Sequence, residues 1–269
     1  MVRKAFSVLV FALLILMQVS ISAQAQTKKK SHKKSKKSIE IVKPKASGFH
    51  PSFTMASGTV GSYFYPQSVG SEWEMKIVQR YFRPDNTIFG SDSLYSLERV
   101  TSNSQMAIQG VPLIVCESKT WQGLDSSHAD RGTDVYYVDD SLIMAVFNNS
   151  LWSNQNRILL VSPLRIGGHW LEQTGDSART EIASMHDTVS VPYGNFGNAV
   201  VTVTRFGQLE LDKYFVPQVG LVKTIMRRPG NRPGEAVVVT SELLSLRPGA
   251  VQQSGRPGGT LGESPGMVR

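Results

Sequence analysis

Apolar and polar residues alternate along much of the chain between residues 62 and 246. In the clearest case Trp73, Met75 and Ile77 fall on one face. The residues on the opposite face include Glu74, Lys76 and Arg80. A period of two residues is the pattern of a β-strand that buries one of its faces. The chain therefore predicts strands as its main element.

Twelve segments have strand character, and turn signals rich in Gly, Pro, Asn and Asp separate them. Short strands at this spacing, without a long 3.6-residue period, indicate an antiparallel all-β protein. The predicted strands are Glu72–Tyr81, Ser93–Met106, Val111–Trp121, Asp134–Val138, Leu142–Phe147, Arg157–Val161, Trp170–Thr174, Thr180–Val191, Ala199–Phe206, Gln208–Phe215, Leu221–Arg227 and Ala236–Leu246. The second of these is the weakest strand prediction, because Leu94, Leu97 and Val100 also fit a short helix.

One later segment shows the same alternation. Leu209, Leu211 and Lys213 share one face, while Glu210 and Asp212 lie on the other. Such a pattern suits an antiparallel sheet that has one face in water.

A short motif occurs twice, at Pro66–Trp73 and at Pro163–Trp170. Both copies place Pro, Gly and Trp at the same spacing, with a β-branched aliphatic residue before the Gly. Proline marks the approach to a strand, glycine permits a turn with positive φ, and tryptophan covers the end of a core. Strand-rich segments follow both copies, so we predict two tandem β modules, 62–150 and 151–246, in one continuous sheet or two small domains.

The first 25 residues have the pattern of a secretory signal peptide. Two basic residues precede the apolar run Phe6–Val19, and Ala23 and Ala25 supply the small residues that signal peptidase requires. The run is short for a membrane-spanning helix. We predict cleavage after Ala25 and no transmembrane segment after processing; an uncleaved N-terminal anchor is the alternative.

A lysine-rich segment, 26–61, follows the signal peptide. Between Thr27 and Lys45 it holds nine lysines against the single acid Glu40. Such a segment cannot bury enough apolar surface to fold, so we predict disorder. It serves either as a solvated linker or as a contact to anionic envelope surfaces. The candidate contacts are Lys28, Lys29, Lys30, Lys33, Lys34, Lys36 and Lys37.

The basic charge of the chain belongs to its N-terminus. The whole chain carries +8, of which Thr27–Lys45 supplies +8 and the two basic residues near the start supply +2, so residues 46–269 carry −2. Residues 46–269 therefore do not carry the net positive charge typical of nucleic-acid-binding domains, and we expect no specific nucleic-acid partner. Residues 247–269 are rich in Pro and Gly without a fixed period, which predicts a second disordered tail.

No motif of catalysis or cofactor binding stands out. The sequence lacks Gly-x-Ser-x-Gly, HExxH and P-loop patterns, and Cys116, its only cysteine, is expected to be a packed thiol. Asp125, Asp130 and Asp134 lie in an acid-rich stretch that can bind a divalent cation, although a solvated hairpin loop is the simpler interpretation. We therefore expect a non-enzymatic protein without cofactor or metal.

Four aromatic residues are candidates for an apolar pocket. They are Trp73, Trp170, Tyr214 and Phe215. Ordinary core packing is the alternative for each of them.

Three segments resemble exported bacterial β-rich proteins of unknown function. They are Val191–Phe196 with its Val-Pro-x-Gly-x-Phe turn, Tyr214–Lys223 with its Pro-x-Val-Gly-Leu-Val-Lys ending, and the repeated Pro-x-x-x-Gly-x-x-Trp. Their order is similar to that of loosely LolA-like and DUF3108-like proteins. The resemblance implies an open, curved antiparallel sheet or half-barrel in the cell envelope, with an apolar concave face and no catalytic residues.

Three hypotheses for function follow. The first is an exported, non-enzymatic envelope protein that binds an apolar ligand or lipid, placed in the periplasm, at the outer envelope or outside the cell. The second is a structural or adhesive protein held to anionic surfaces by its lysines. The third is a hydrolase without a recognisable motif.

Overall fold

The computed structural model describes residues 59–103, 113–123, 125–148, 150–151, 153–173 and 178–249. The predicted signal peptide with Ala23 and Ala25, and the seven candidate lysines, lie outside the described residues. So do positions 250–269 of the predicted C-terminal tail.

Twelve antiparallel strands form a single sheet, and one short 3₁₀ helix, Val60–Tyr63, precedes them. The strands are β1 (Glu72–Phe82), β2 (Ile88–Ser102), β3 (Ile114–Gln122), β4 (Asp130–Val138), β5 (Leu142–Ala145), β6 (Arg157–Val161), β7 (His169–Leu171), β8 (Arg179–Val191), β9 (Gly194–Phe206), β10 (Leu209–Val216), β11 (Gly220–Pro229) and β12 (Ala236–Arg247). The predicted all-β antiparallel fold is confirmed. Within the described ranges, no helix has the length and hydropathy of a membrane span.

Each predicted strand matches one observed strand, and the differences lie at the ends. β2 begins at Ile88, β4 at Asp130 and β9 at Gly194, each four or five residues before the predicted start. Glycine and polar residues within these added stretches weaken the alternation, but the strand ladders continue through them. The helical alternative for the second segment is wrong, because β2 pairs with both β1 and β3.

The sheet is continuous and curves until its edges approach each other. Each strand pairs with its neighbours in sequence, except that β1 pairs with β12 and that β6 and β7 form the two edges. The backbone N–H of Ile158 on β6 donates to the Glu172 carbonyl, which follows β7, at 2.9 Å. The Trp170 indole donates to the Ile158 carbonyl at 3.2 Å. These two contacts join the two edges of the sheet, whereas a ladder of backbone hydrogen bonds joins every other pair of neighbouring strands.

The two copies of the repeated motif form turns with the same backbone geometry. Gly70 has φ +85° in the first turn, and Gly167 has φ +78° in the second. In the first turn the backbone N–H of the next residue, Ser71, donates to the Ser68 carbonyl at 3.0 Å. The corresponding bond in the second turn, from Gly168 to Arg165, is 2.9 Å long.

Each turn also makes the same contact to the second strand of its half. The N–H of Gly70 donates to the Val100 carbonyl on β2, and the N–H of Gly167 donates to the Ile182 carbonyl on β8, both at 2.8 Å. In the ladders that follow, Trp73 lies opposite Glu98 and Trp170 lies opposite Thr180. We call β1–β6 the first half and β7–β12 the second half. Both halves begin with the same turn and register; their origin by duplication stays a prediction.

The apolar core lies on the concave face of the sheet. The residue after the 3₁₀ helix, Phe64, and its neighbour Tyr65 belong to this core together with Trp73 and Phe215. Gly220, at the start of β11, has φ +101°, and a Cβ there would lie 2.7 Å from the Tyr65 ring. Glycine is thus required at this position both by the turn and by the close approach of the aromatic ring.

Candidate functional site

An aromatic segment covers part of the concave face. We call residues 60–65 the aromatic segment. Tyr65 stacks on Trp73 with ring centroids 4.1 Å apart, and Phe64 packs edge-on against the same indole at 6.1 Å. Trp73 is consequently only 2% exposed.

Hydrogen bonds hold the aromatic segment to turns in both halves. The N–H of Val60 donates to the Asp140 carbonyl between β4 and β5 at 3.0 Å. The N–H of Gln218, between β10 and β11, donates to the Ser62 carbonyl at 2.6 Å. The Tyr65 hydroxyl donates to the Leu221 carbonyl on β11. The segment therefore bridges the concave face at one end of the sheet.

The four predicted pocket aromatics belong to one apolar cluster but have different exposure. Trp73 and Phe215 are each 2% exposed within it. Trp170 and Tyr214 are half-buried and pack against it, Trp170 beside the meeting edges of the sheet. The structure thus places Trp73, Trp170 and Phe215 on the concave face, whereas Tyr214 alternates with Phe215 and lies opposite Lys223 on the other face.

The first half places a carboxyl group, that of Glu98, in this interior. The Tyr136 hydroxyl donates to Glu98 Oε2 at 3.0 Å, and the Trp73 indole hydrogen-bonds the same carboxyl. Burial, and then the nearby charge of Asp134, raise the pKa of Glu98 to about 8, although the hydrogen bonds from Tyr136 and Trp73 act in the opposite direction. A carboxyl group of this kind is mostly protonated at neutral pH, so it is buried without charge.

Cys116 lies next to this carboxyl group and is fully buried. Its ladder partners are Val100 on β2 and Asp134 on β4. Burial, and then the charges of Glu98 and Asp134, raise the pKa of the thiol. A thiol that stays protonated is a poor nucleophile, so Cys116 is a packed thiol, as predicted.

The second half places a cation in the interior. Lys213 on β10 forms an ion pair with Glu172, and their side chains are 9% and 12% exposed. The ladder partner of Lys213 on β9 is Thr202, whose fully buried hydroxyl has no hydrogen-bond partner in the described part of the chain. One row away, the hydroxyls of Thr180 and Thr204 bond each other at 2.7 Å.

The acid-rich stretch does not gather into a metal site. Asp125 accepts hydrogen bonds from the N–H and hydroxyl of Ser127, which lower its pKa. Asp130 and Asp134 belong to β4. Among the described residues no group of three His, Cys, Asp or Glu side chains is placed to hold a metal ion.

The predicted site residues do not include Glu98, Glu172, Thr202 or Lys213. Glu98 shares a strand face with Val100, and Lys213 shares one with Leu209 and Leu211, so each places a charge on an apolar face. A charged residue on the apolar face of a predicted strand is the sequence signal that could have identified Glu98 and Lys213. Thr202 carries no such signal, because threonine is common in strands.

No family model and no curated protein matches this chain. Among solved structures, it is similar to a Bacteroides fragilis protein described as a "putative exported protein with YmcC-like fold", at 12% identity and TM-score 0.40, over 68% of this chain and 98% of that one. It is also similar to a "putative lipoprotein" from Parabacteroides distasonis, at 12% identity and TM-score 0.39, over 72% of this chain and 100% of that one.

Proposed function

We propose that this chain is an exported, non-enzymatic β protein of the cell envelope that binds an apolar or lipid-like ligand on its concave face. The supporting observation is the cover over Trp73. Phe64 and Tyr65 lie on its indole, and hydrogen bonds at Val60, Ser62 and Tyr65, rather than a strand ladder, attach the chain that carries them. An apolar ligand can replace these ring contacts without leaving a strand ladder unpaired.

The N-terminal sequence supports the location in this proposal. A basic start, an apolar run and small residues at Ala23 and Ala25 direct a chain to export. The periplasm, the outer envelope and the extracellular space are all compatible with it. The resemblance to LolA-like and DUF3108-like proteins belongs to the same proposal, which includes no catalytic role.

Binding of a neutral fluorescent probe to the mature chain tests this function. N-phenyl-1-naphthylamine gains fluorescence in apolar sites, and lipid extracted from the native envelope should displace it. We expect Tyr65→Ala to strengthen probe binding, because the ring that competes for Trp73 is removed. Tyr81→Ala is the matched control, since Tyr81 packs against Phe89 at the opposite end of β1.

Circular dichroism would establish that both variants keep the sheet. No probe binding by either the mature chain or the Tyr65→Ala variant would overturn the proposal. Equal gains from the Tyr65 and Tyr81 variants would also count against it, because they would point to general loosening.

A second function rests on the charge of the N-terminal segment. Nine lysines between Thr27 and Lys45 favour contact with anionic lipid or polysaccharide. We expect deletion of residues 27–45 to abolish binding to vesicles that contain phosphatidylglycerol, and high salt to do the same to the intact chain. Envelope retention that survives the deletion would contradict this role.

A further inference from the structure

The ammonium group of Lys213 points into the concave interior of the second half. Its ladder partner Thr202 is completely buried, and residues opposite each other on paired strands share a face. On its other side Lys213 lies opposite Thr224 of β11. Lys213 therefore lies between two threonines in the ladder, Thr202 and Thr224.

One carboxylate neutralises this cation. Glu172 follows β7 at the edge of the sheet and reaches Lys213 on β10 across the interior. An ammonium group has three N–H donors, and Glu172 accepts one of them. The Lys213 position is thus able to bind a carboxylate.

A second donor, without a partner, belongs to the ladder partner of Lys213. The Thr202 hydroxyl is 0% exposed and unpaired among the described residues. A buried hydroxyl without a partner is unusual in a folded protein. An anion held by Lys213 would supply the acceptor that this hydroxyl lacks.

The surroundings indicate what carries the anionic group. Two residues before Glu172, Trp170 packs on the apolar cluster beside the point where β6 and β7 meet. A ligand whose charged end reaches Lys213 therefore has an apolar wall beside it. This arrangement suits a long-chain amphiphile better than a small, fully hydrated anion.

We propose that Lys213 and Thr202 bind the anionic group of an amphiphilic ligand, a long-chain carboxylate, which displaces the Glu172 carboxylate from Lys213 and lies closer to Thr202 than Glu172 does. The inference rests on the proposed function and deepens it, because it adds a charged end to an apolar ligand. The ligand enters between β6 and β7, where two hydrogen bonds join the edges of the described sheet.

The test compares dodecanoate with dodecanol as competitors of N-phenyl-1-naphthylamine on the full mature chain. We expect dodecanoate to compete about tenfold better, the scale of one charge-assisted hydrogen bond. Lys213→Met should abolish this preference while dodecanol still competes. Glu172→Gln should increase the preference, because the competing carboxylate is gone, and Thr202→Val should weaken it a few-fold.

Lys223→Met is the matched control. Lys223 also pairs with a glutamate, Glu242, but the pair lies on the other face of the sheet, with side chains 21% and 30% exposed. This variant should keep the full preference for dodecanoate. The double variant Lys213→Met/Glu172→Gln leaves no unpaired buried charge, so it provides the same comparison if Lys213→Met alone does not fold.

Three results would overturn the inference. Equal competition by dodecanoate and dodecanol would remove it and leave the proposed function intact. Equal changes in Lys213→Met and Glu172→Gln would show that the ion pair only joins strands. If acetate competed at the same concentration, the site would bind a small carboxylate and the proposed long-chain ligand would be wrong. If neither long-chain compound competes, the proposed function fails as well.

Discussion

At the ladder position where the second half of the sheet carries Lys213, the first half carries Asp134. Lys213 lies opposite Thr202 of β9, and Asp134 lies opposite Cys116 of β3. Both positions follow from the same turn, because the ladder that begins at each repeated glycine continues in the same register. The same backbone arrangement thus places a basic residue in the second half and an acidic residue in the first half, both on the concave face of the sheet.

The two halves also neutralise their buried charges by different means. In the first half Glu98 retains its proton, because burial and Asp134 raise its pKa to about 8. In the second half Lys213 is paired with Glu172. A buried ionisable group is tolerated when it is neutral or paired, and the molecule uses both solutions. The repeated Pro, Gly and Trp therefore specify the scaffold, while inward-facing residues outside the motif determine its chemistry.

The largest difference between the halves should appear when their tryptophans are removed. Trp73→Ala leaves a cavity under the Tyr65 ring and should lower the free energy of unfolding by about 3–5 kcal/mol. Trp170→Ala removes a half-buried ring and one indole hydrogen bond and should cost about 1–2 kcal/mol. Urea denaturation of both variants measures the difference. Equal losses of unfolding free energy would mean that Trp170, at the β6 and β7 edges, is packed as firmly as Trp73 on β1.

A pH profile separates the two ways of neutralising charge. The pKa of Glu98 is about 8 in the folded protein and 4.5 ordinarily, so the folded state binds more protons between these values. The stabilisation from this group is complete below pH 4.5, falls as pH rises and is lost above pH 8. With about 1.4 kcal/mol per pKa unit and a reduction for residual solvent contact, we expect a loss of about 2–4 kcal/mol.

Glu98→Gln is the control for this profile. The amide keeps hydrogen bonds to Tyr136 and Trp73 but does not ionise, so stability should change little between pH 5 and pH 8.5. A profile that falls equally in wild type and variant would assign the pH dependence to other groups. Thermal denaturation over this pH range makes the measurement.

The fold could be predicted from the sequence to a large extent, and the interior could not. Alternation is a local property, so it indicates every strand, including the short β7. The approach of Glu98, Asp134 and Tyr136 depends on the register of three strands, which no local pattern specifies. Glu172 reaches Lys213 only because the sheet curves until β7 faces β10.

The smallest effect tests whether the two turns are the same structure. Alanine at Gly70 or Gly167 has space, because the nearest atom to a new Cβ is 3.9 Å away at Gly70 and none lies within 4 Å at Gly167. The cost then comes from the backbone alone, since φ is +85° and +78°, and should be about 1–2 kcal/mol in each case. Urea denaturation of Gly70→Ala and Gly167→Ala should give equal losses, while the tryptophans beside them give unequal ones. If only one of the two alanine variants lost stability, the turns would share a sequence and a hydrogen-bond pattern but would differ in backbone conformation.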